Sequence, residues 1–154
     1  MKKRLLLLAL LLTLLPAAAL AGETATSAKA CVVMDAASGR LLLEHNAYAP
    51  LPMASTTKIM TALVVLEQGT LEDTVEIPAE ATGIEGSSMY LTAGERLTVE
   101  DLLYGMMLSS GNDAAVALAI YVSGSPEAFA REMNRKAQAL GLTHTGFANP
   151  NGLD

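Results

Sequence analysis

The sequence lacks most of the features that mark metal, redox or nucleotide chemistry. It has one cysteine, Cys31, so no internal disulfide can form. Cys31 heads the run Cys31-Val32-Val33-Met34 and reads as a buried strand residue. A lipid-bearing cysteine would directly follow the apolar core of a leader, and Cys31 lies well beyond it. There are two histidines, and no pattern of potential ligands identifies a metal site. His45 follows Glu44 in a polar loop and reads as solvated rather than as a base. The glycine- and serine-rich residues 82–88 carry no Gly-Lys-Ser/Thr ending, which sets aside a phosphate loop. No repeat or low-complexity linker is present.

Basic residues are scarce and badly distributed for an anionic partner. Lys2-Lys3-Arg4 precede a largely apolar run at residues 5–15 and the small-residue site Ala19-Leu20-Ala21. That order predicts a secretory signal over residues 1–21, cleaved before Gly22, because the run is too short to span a bilayer comfortably. Removing those three bases from the 10 in the chain leaves 7 against 16 acids, a net charge of −9. Such a balance argues against nucleic acid or an anionic membrane surface as a partner. Residues 22–154 therefore read as an exported, acidic portion of a single domain, in the periplasm or another extracytoplasmic space.

Along the chain, residues 31–34 and 40–43 form two apolar runs joined by Asp35-Ala36-Ala37-Ser38-Gly39, the composition of a β-hairpin. Pro50 and Pro52 give an extended entry to a helix on which Ile59, Met60, Leu63, Val64 and Leu66 should be mostly buried, with Gly69 as its stop. A short strand is expected at residues 75–77. Thr98 then caps a helix with Leu102, Leu103, Met106 and Met107 as its buried stripe. An alanine-rich helix is expected at 114–122, and one capped by Ser125-Pro126 runs to Leu140, with Phe129 and Met133 inward. This composition supports a mixed α/β domain with about four helices.

The chemically distinctive stretch is Ser55-Thr56-Thr57-Lys58. Residues at i and i+3 share a helix face, so the Lys58 amine can reach back to the Ser55 hydroxyl, while N–H groups at the helix start favour a developing oxyanion. Lys58 is the only charged side chain between Asn46 and Leu66. At the ordinary lysine pKa of about 10.4, fewer than about one amine in a thousand is free at neutral pH. General-base work therefore calls for a lowering that costs on the order of 4 kcal/mol, which desolvation can supply. Taken alone, the four residues read better as a capping serine and a snorkelling lysine, because Ser and Lys are common enough for the spacing to arise by chance. A second polar stretch, Ser109-Ser110-Gly111-Asn112-Asp113, interrupts two apolar helices, and such a break needs either partners or a task.

With both stretches in hand, the chain resembles the low-molecular-mass penicillin-binding proteins, in particular the serine-type D-Ala-D-Ala carboxypeptidases. The Ser-x-x-Lys motif is Ser55 to Lys58 and the Ser-x-Asn motif is Ser110-Gly111-Asn112. Met34-Asp35-Ala36-Ala37-Ser38-Gly39 and Gly86-Ser87-Ser88-Met89 resemble the same family in the same order. The resemblance implies a transpeptidase/β-lactamase-like α/β domain, an antiparallel sheet flanked by helices. It also implies acyl transfer on the D-Ala-D-Ala end of a peptidoglycan pentapeptide, with β-lactams as inhibitors and no cofactor or metal. Ser55 would be the nucleophile, Lys58 the base and Ser110 the proton relay, all catalytic, while Asn112 would bind substrate and help hold Lys58. A D,D-endopeptidase, a β-lactamase and a non-catalytic cell-wall binder stay open as alternatives.

One family motif has no counterpart. No lysine is followed by Thr-Gly, and His144-Thr145-Gly146 comes too soon after Asn112 to replace it. Residues 147–154 look instead like a family segment that precedes the missing strand. The expectation is therefore an N-terminal portion of the peptidase domain, with the Lys-Thr-Gly strand and any C-terminal membrane anchor lying after Asp154.

Overall fold

The computed structural model describes residues 26–153; the expected signal at residues 1–21 lies outside them. The chain divides after Ala49 into two compact units.

In the first unit, β1 (Cys31–Met34) and β2 (Leu41–His45) form the expected antiparallel hairpin, with Cys31 opposite His45. Its turn is closed by the Asp35 carboxylate, which accepts the Ser38 N–H at 2.8 Å, and by Gly39 at φ +69°. Two expectations fail here. Cys31 is half-buried rather than buried, and His45 closes β2 rather than lying in a loop. Val32, Val33, Met34, Leu41 and Leu42 are all exposed, so this hairpin carries apolar side chains on both faces.

The second unit holds four helices among the described residues. A 3₁₀ turn at Ala54–Thr56 leads into α1 (Thr57–Gln68). Strands β3 (Thr74–Glu76) and β4 (Arg96–Thr98) pair antiparallel, and β4 runs directly into α2 (Val99–Leu108). The Thr98 hydroxyl accepts the Asp101 N–H while the Asp101 carboxylate reaches back to the Thr98 N–H, a complete capping box. Helix α3 (Asn112–Ser123) starts two residues earlier than expected, and α4 (Pro126–Ala139) is capped by Ser125.

Helix α3 lies at the centre, against α1, α2 and α4. Every residue from Asn112 to Ala119 is buried, and the alanines among them let neighbouring helices approach closely. Phe129 and Met133 of α4 are fully buried against this core, as expected. Helix α1 is where the expected burial needs correction. Its buried residues, Thr57, Lys58, Met60, Thr61, Val64 and Val65, follow helical spacing, which leaves Ile59 at 63% exposure and Leu66 at 56% on the other faces. For the same reason Met107, one step round α2 from buried Met106, is exposed. Gly69 ends α1 without adopting a left-handed conformation. A Cβ there would lie 2.9 Å from the Val65 carbonyl oxygen and 3.1 Å from the Tyr121 ring, so space rather than φ calls for glycine. Among the described residues no helix is long and apolar enough to cross a membrane.

Burial ranks two substitutions in α4. Phe129→Ala leaves a cavity in the core and is expected to cost about 3–5 kcal/mol, whereas Ser125→Ala, which removes only the cap, is expected to cost about 1 kcal/mol. Urea unfolding of both variants checks the order, and equal losses would mean that α4 contributes little to the core.

Candidate active site

The 3₁₀ turn presents Ser55 at an exposed position, and the chain around it is bent out of ordinary conformations. Ala54 has φ +47° and Ser110 has φ +56°, both in the left-handed region that residues with a Cβ rarely enter. The two bends bring together segments far apart in sequence. The Ser110 hydroxyl donates to Ser55 Oγ at 3.0 Å, and Lys58 Nζ lies 3.2 Å from the same oxygen.

Lys58 is 2% exposed, and burial lowers the pKa of its amine from the ordinary lysine value. Its other partners are Asn112 Oδ1 at 2.7 Å and the Asn151 backbone oxygen at 3.0 Å. Neither carries a charge, and no carboxylate among the described residues lies within 4 Å. As a free amine, Lys58 would give its two N–H bonds to the two pure acceptors and turn its lone pair to the one partner that can itself donate, the Ser55 hydroxyl. A lysine placed this way can take the serine proton.

Asn112 is buried, and both ends of its amide are engaged. Oδ1 takes Lys58, while Nδ2 donates to the Glu85 carbonyl at 2.7 Å; the Asn112 backbone N–H donates to Ser87 O at 2.8 Å. One Nδ2–H is left over for another acceptor. The next residue, Asp113, is fully buried and turns away from Lys58. Oδ1 accepts from the Met89 and Ala114 N–H groups, and Oδ2 from the Ser88 hydroxyl and the Leu91 N–H. Burial by itself would raise this carboxyl, but the four hydrogen bonds outweigh it and hold the pKa below the usual carboxylate value.

All four residues singled out in the sequence, Ser55, Lys58, Ser110 and Asn112, thus meet at one place. The site also contains a residue from the C-terminal stretch of loop and turn. Asn151 contributes its backbone oxygen, and its segment is pinned to α1 by Thr61, whose hydroxyl donates to Pro150 O at 2.6 Å. Asn149 Oδ1 accepts from Gly152 N at 2.7 Å and from Asn151 N at 3.2 Å, so the turn is held by its own side chain. Gly152 has φ +82°, and a Cβ there would collide with the Ala54 carbonyl. The Asn-Pro-Asn-Gly run is the only signal of this turn in the sequence, and it predicts a turn without saying what the turn holds. His144-Thr145-Gly146 lies in turns and irregular backbone rather than in a strand. Among the described residues no group of three His, Cys, Asp or Glu side chains could hold a metal.

Comparison with known proteins gives a consistent result. The family model of peptidase S11, D-alanyl-D-alanine carboxypeptidase, matches residues 17–154. The D-alanyl-D-alanine carboxypeptidase DacC of Escherichia coli (strain K12) is 46% identical over 138 residues, covering 82% of this chain and 34% of the relative. DacF of Bacillus subtilis (strain 168) is 42% identical over 136 residues, covering 85% and 35%. The crystal structure of the carboxypeptidase DacD from Francisella tularensis superposes with a TM-score of 0.79 at 39% identity over 84% of this chain and 33% of that one. The chain therefore has the transpeptidase-like fold, and it spans about a third of the length of the curated relatives it matches.

Two outcomes follow from the packing of this site. Gly152→Ala is expected to destabilise the protein by roughly 2 kcal/mol or more, through the collision with Ala54 and the unfavourable φ. Thermal unfolding measures it, and an unchanged midpoint would show that the 149–153 turn is not held against Ala54. The Asp113 carboxyl has a folded-state pKa below its unfolded one, so its contribution is complete above the unfolded value and is lost as pH falls through the folded value. Acid unfolding of the wild type should therefore be steeper in that window than acid unfolding of Asp113→Asn.

Proposed function

Since the chain belongs to the D-alanyl-D-alanine carboxypeptidase family, we propose that it supplies the nucleophile, base and proton relay of a serine D-Ala-D-Ala carboxypeptidase. The activity is assigned to the whole protein, acting on peptidoglycan stem peptides outside the cytoplasm. One observation carries the assignment of roles. The Lys58 amine is buried among uncharged acceptors and lies 3.2 Å from Ser55 Oγ, which is itself 3.0 Å from Ser110 Oγ.

The steps follow from this arrangement. Lys58, as the free amine, takes the Ser55 proton as Oγ attacks the penultimate D-alanine carbonyl. The Ser55 N–H, at the start of the helical segment, faces the oxyanion that develops, a donor of the kind worth about 3 kcal/mol in other enzymes. Ser110 passes the proton from the lysine side toward the nitrogen of the departing D-alanine. The acyl group is left on Ser55, and water, deprotonated along the same route, releases the shortened peptide and restores the serine. Asn112 fixes Lys58 through Oδ1 and offers its spare Nδ2–H to the substrate backbone. A penicillin resembles the D-Ala-D-Ala end and holds the corresponding amide in a strained ring; its opening acylates Ser55, and because the leaving nitrogen stays tethered to the acyl group, the adduct departs slowly.

Intact-mass measurement after penicillin treatment tests the reading. One adduct is expected on the wild type and none on Ser55→Ala; a folded wild type that gains no mass overturns the enzyme assignment. For Lys58, the rate of adduct formation should rise with pH as the amine loses its proton, level off, and have its midpoint below the ordinary lysine pKa. Lys58→Ala should acylate about 10²–10⁴-fold more slowly. Acylation at the wild-type rate would remove the base role.

A further inference from the structure

Asp113 has no part in the steps above, yet it is the fully buried carboxylate nearest the site in sequence and is held by more hydrogen bonds than any residue that takes part. An acidic residue in the first turn of a helix ordinarily serves its own helix N-terminus. Asp113 does so with one bond only, from Ala114 N–H; its other three come from Ser88, Met89 and Leu91. The carboxylate is therefore a clamp on a separate segment of chain. That segment reaches back to Asn112 through Glu85 O and Ser87 O. The fit is close on both sides of the clamp. A Cβ at Gly86 would come within 2.8 Å of Asn112 Nδ2, and one at Gly111 within 3.0 Å of both Asp113 Oδ1 and Met89 Cγ. Tyr90, between two clamped residues, is held at φ +61° with its N–H on Ser88 Oγ at 2.9 Å.

We propose that Asp113 is a positioning residue: it holds the 85–91 segment so that Glu85 O and Ser87 O fix Asn112, whose Oδ1 in turn aims the Lys58 amine at Ser55. The proposal rests on the catalytic roles assigned above. Its effect on Lys58 is mechanical rather than charge to charge. From α3, Asp113 directs its oxygens to the 88–91 turn; from the 85–91 segment, Glu85 offers only its carbonyl; α1 and residues 149–153 place no other charged group beside the amine.

The test uses the intact protein with two readouts, exchange of the Asn112 side-chain amide protons by NMR and the rate of penicillin acylation across pH. In Asp113→Asn an amide nitrogen must face at least one N–H donor, so the clamp opens. Asn112 amide exchange should then speed up by about tenfold or more, and the acylation plateau should fall by about tenfold to a hundredfold with its pH midpoint displaced. Combined with Asn112→Ala, Asp113→Asn should cost nothing further, because its effect runs through Asn112. Unchanged exchange and an unchanged pH profile in a folded Asp113→Asn would overturn the proposal, as would losses that multiply in the double variant. If Asp113→Asn does not fold, Ser88→Ala, which removes a single donor to the carboxylate, decides by the same criteria. A wild type that forms no penicillin adduct defeats the catalytic reading alone, and the exchange measurement still decides whether Asp113 holds Asn112.

Discussion

The organising constraint of this structure is a buried amine with no charged partner among the described residues. An ammonium taken out of water without a carboxylate costs several kcal/mol, so Lys58 is driven toward its neutral form and must find uncharged acceptors for the N–H bonds that remain. Those acceptors come from residues 54 and 93 positions further along the chain. Bringing such distant segments to one nitrogen is entropically costly. The helices therefore have to supply, through apolar burial, the stability that the site itself consumes.

Helix α3 is built for that purpose. Its alanines bring α1, α2 and α4 close, and the first turn of α3 begins at the residue that grips Lys58. Two left-handed residues with a Cβ, Ala54 and Ser110, flank or form the hydroxyl pair. Each such conformation costs of order 1–3 kcal/mol and persists only where the surroundings determine it. Here the surroundings are identifiable: Gly152 lies against the Ala54 carbonyl, and Gly111 leads straight into a helix with no exposed residue in its first two turns.

The site was legible in the sequence to the extent that side-chain spacing defines it. Ser55 and Lys58 sit one turn apart and Lys58 has no charged neighbour in sequence, but that spacing alone also fits a helix cap and a snorkelling lysine, and only the second polar stretch and the resemblance decided between them. Ser110 and Asn112 stood in a polar break whose function came from resemblance rather than from spacing. The Asn151 carbonyl could not be read at all, because a backbone oxygen has no residue signature. Among the elements, the helices were legible from caps and glycines. The faces of α1 were not, because that helix is apolar nearly all round and the pattern does not say which side meets α3; hence Ile59 and Leu66 are exposed. Strand β4 escaped notice because three residues leading directly into a capped helix carry no alternation to detect.

The adjacency of Asn112 and Asp113 raises a last physical question, namely why a buried carboxylate one residue from the lysine's partner does not capture the lysine's proton. Successive helical residues point about 100° apart, so the two side chains leave the α3 terminus in different directions. Asn112 faces Lys58, while Asp113 faces the 88–91 turn, where three donors, together with the Ala114 N–H of its own helix, satisfy its demand for hydrogen bonds. An amide in the first position and an acid in the second is thus an ordered choice. Exchanging them would set a carboxylate against Lys58, lock the amine as an ammonium and leave the turn with too few acceptors. With this order each of the two polar side chains is satisfied by a different part of the chain, and the amine is left facing an uncharged oxygen.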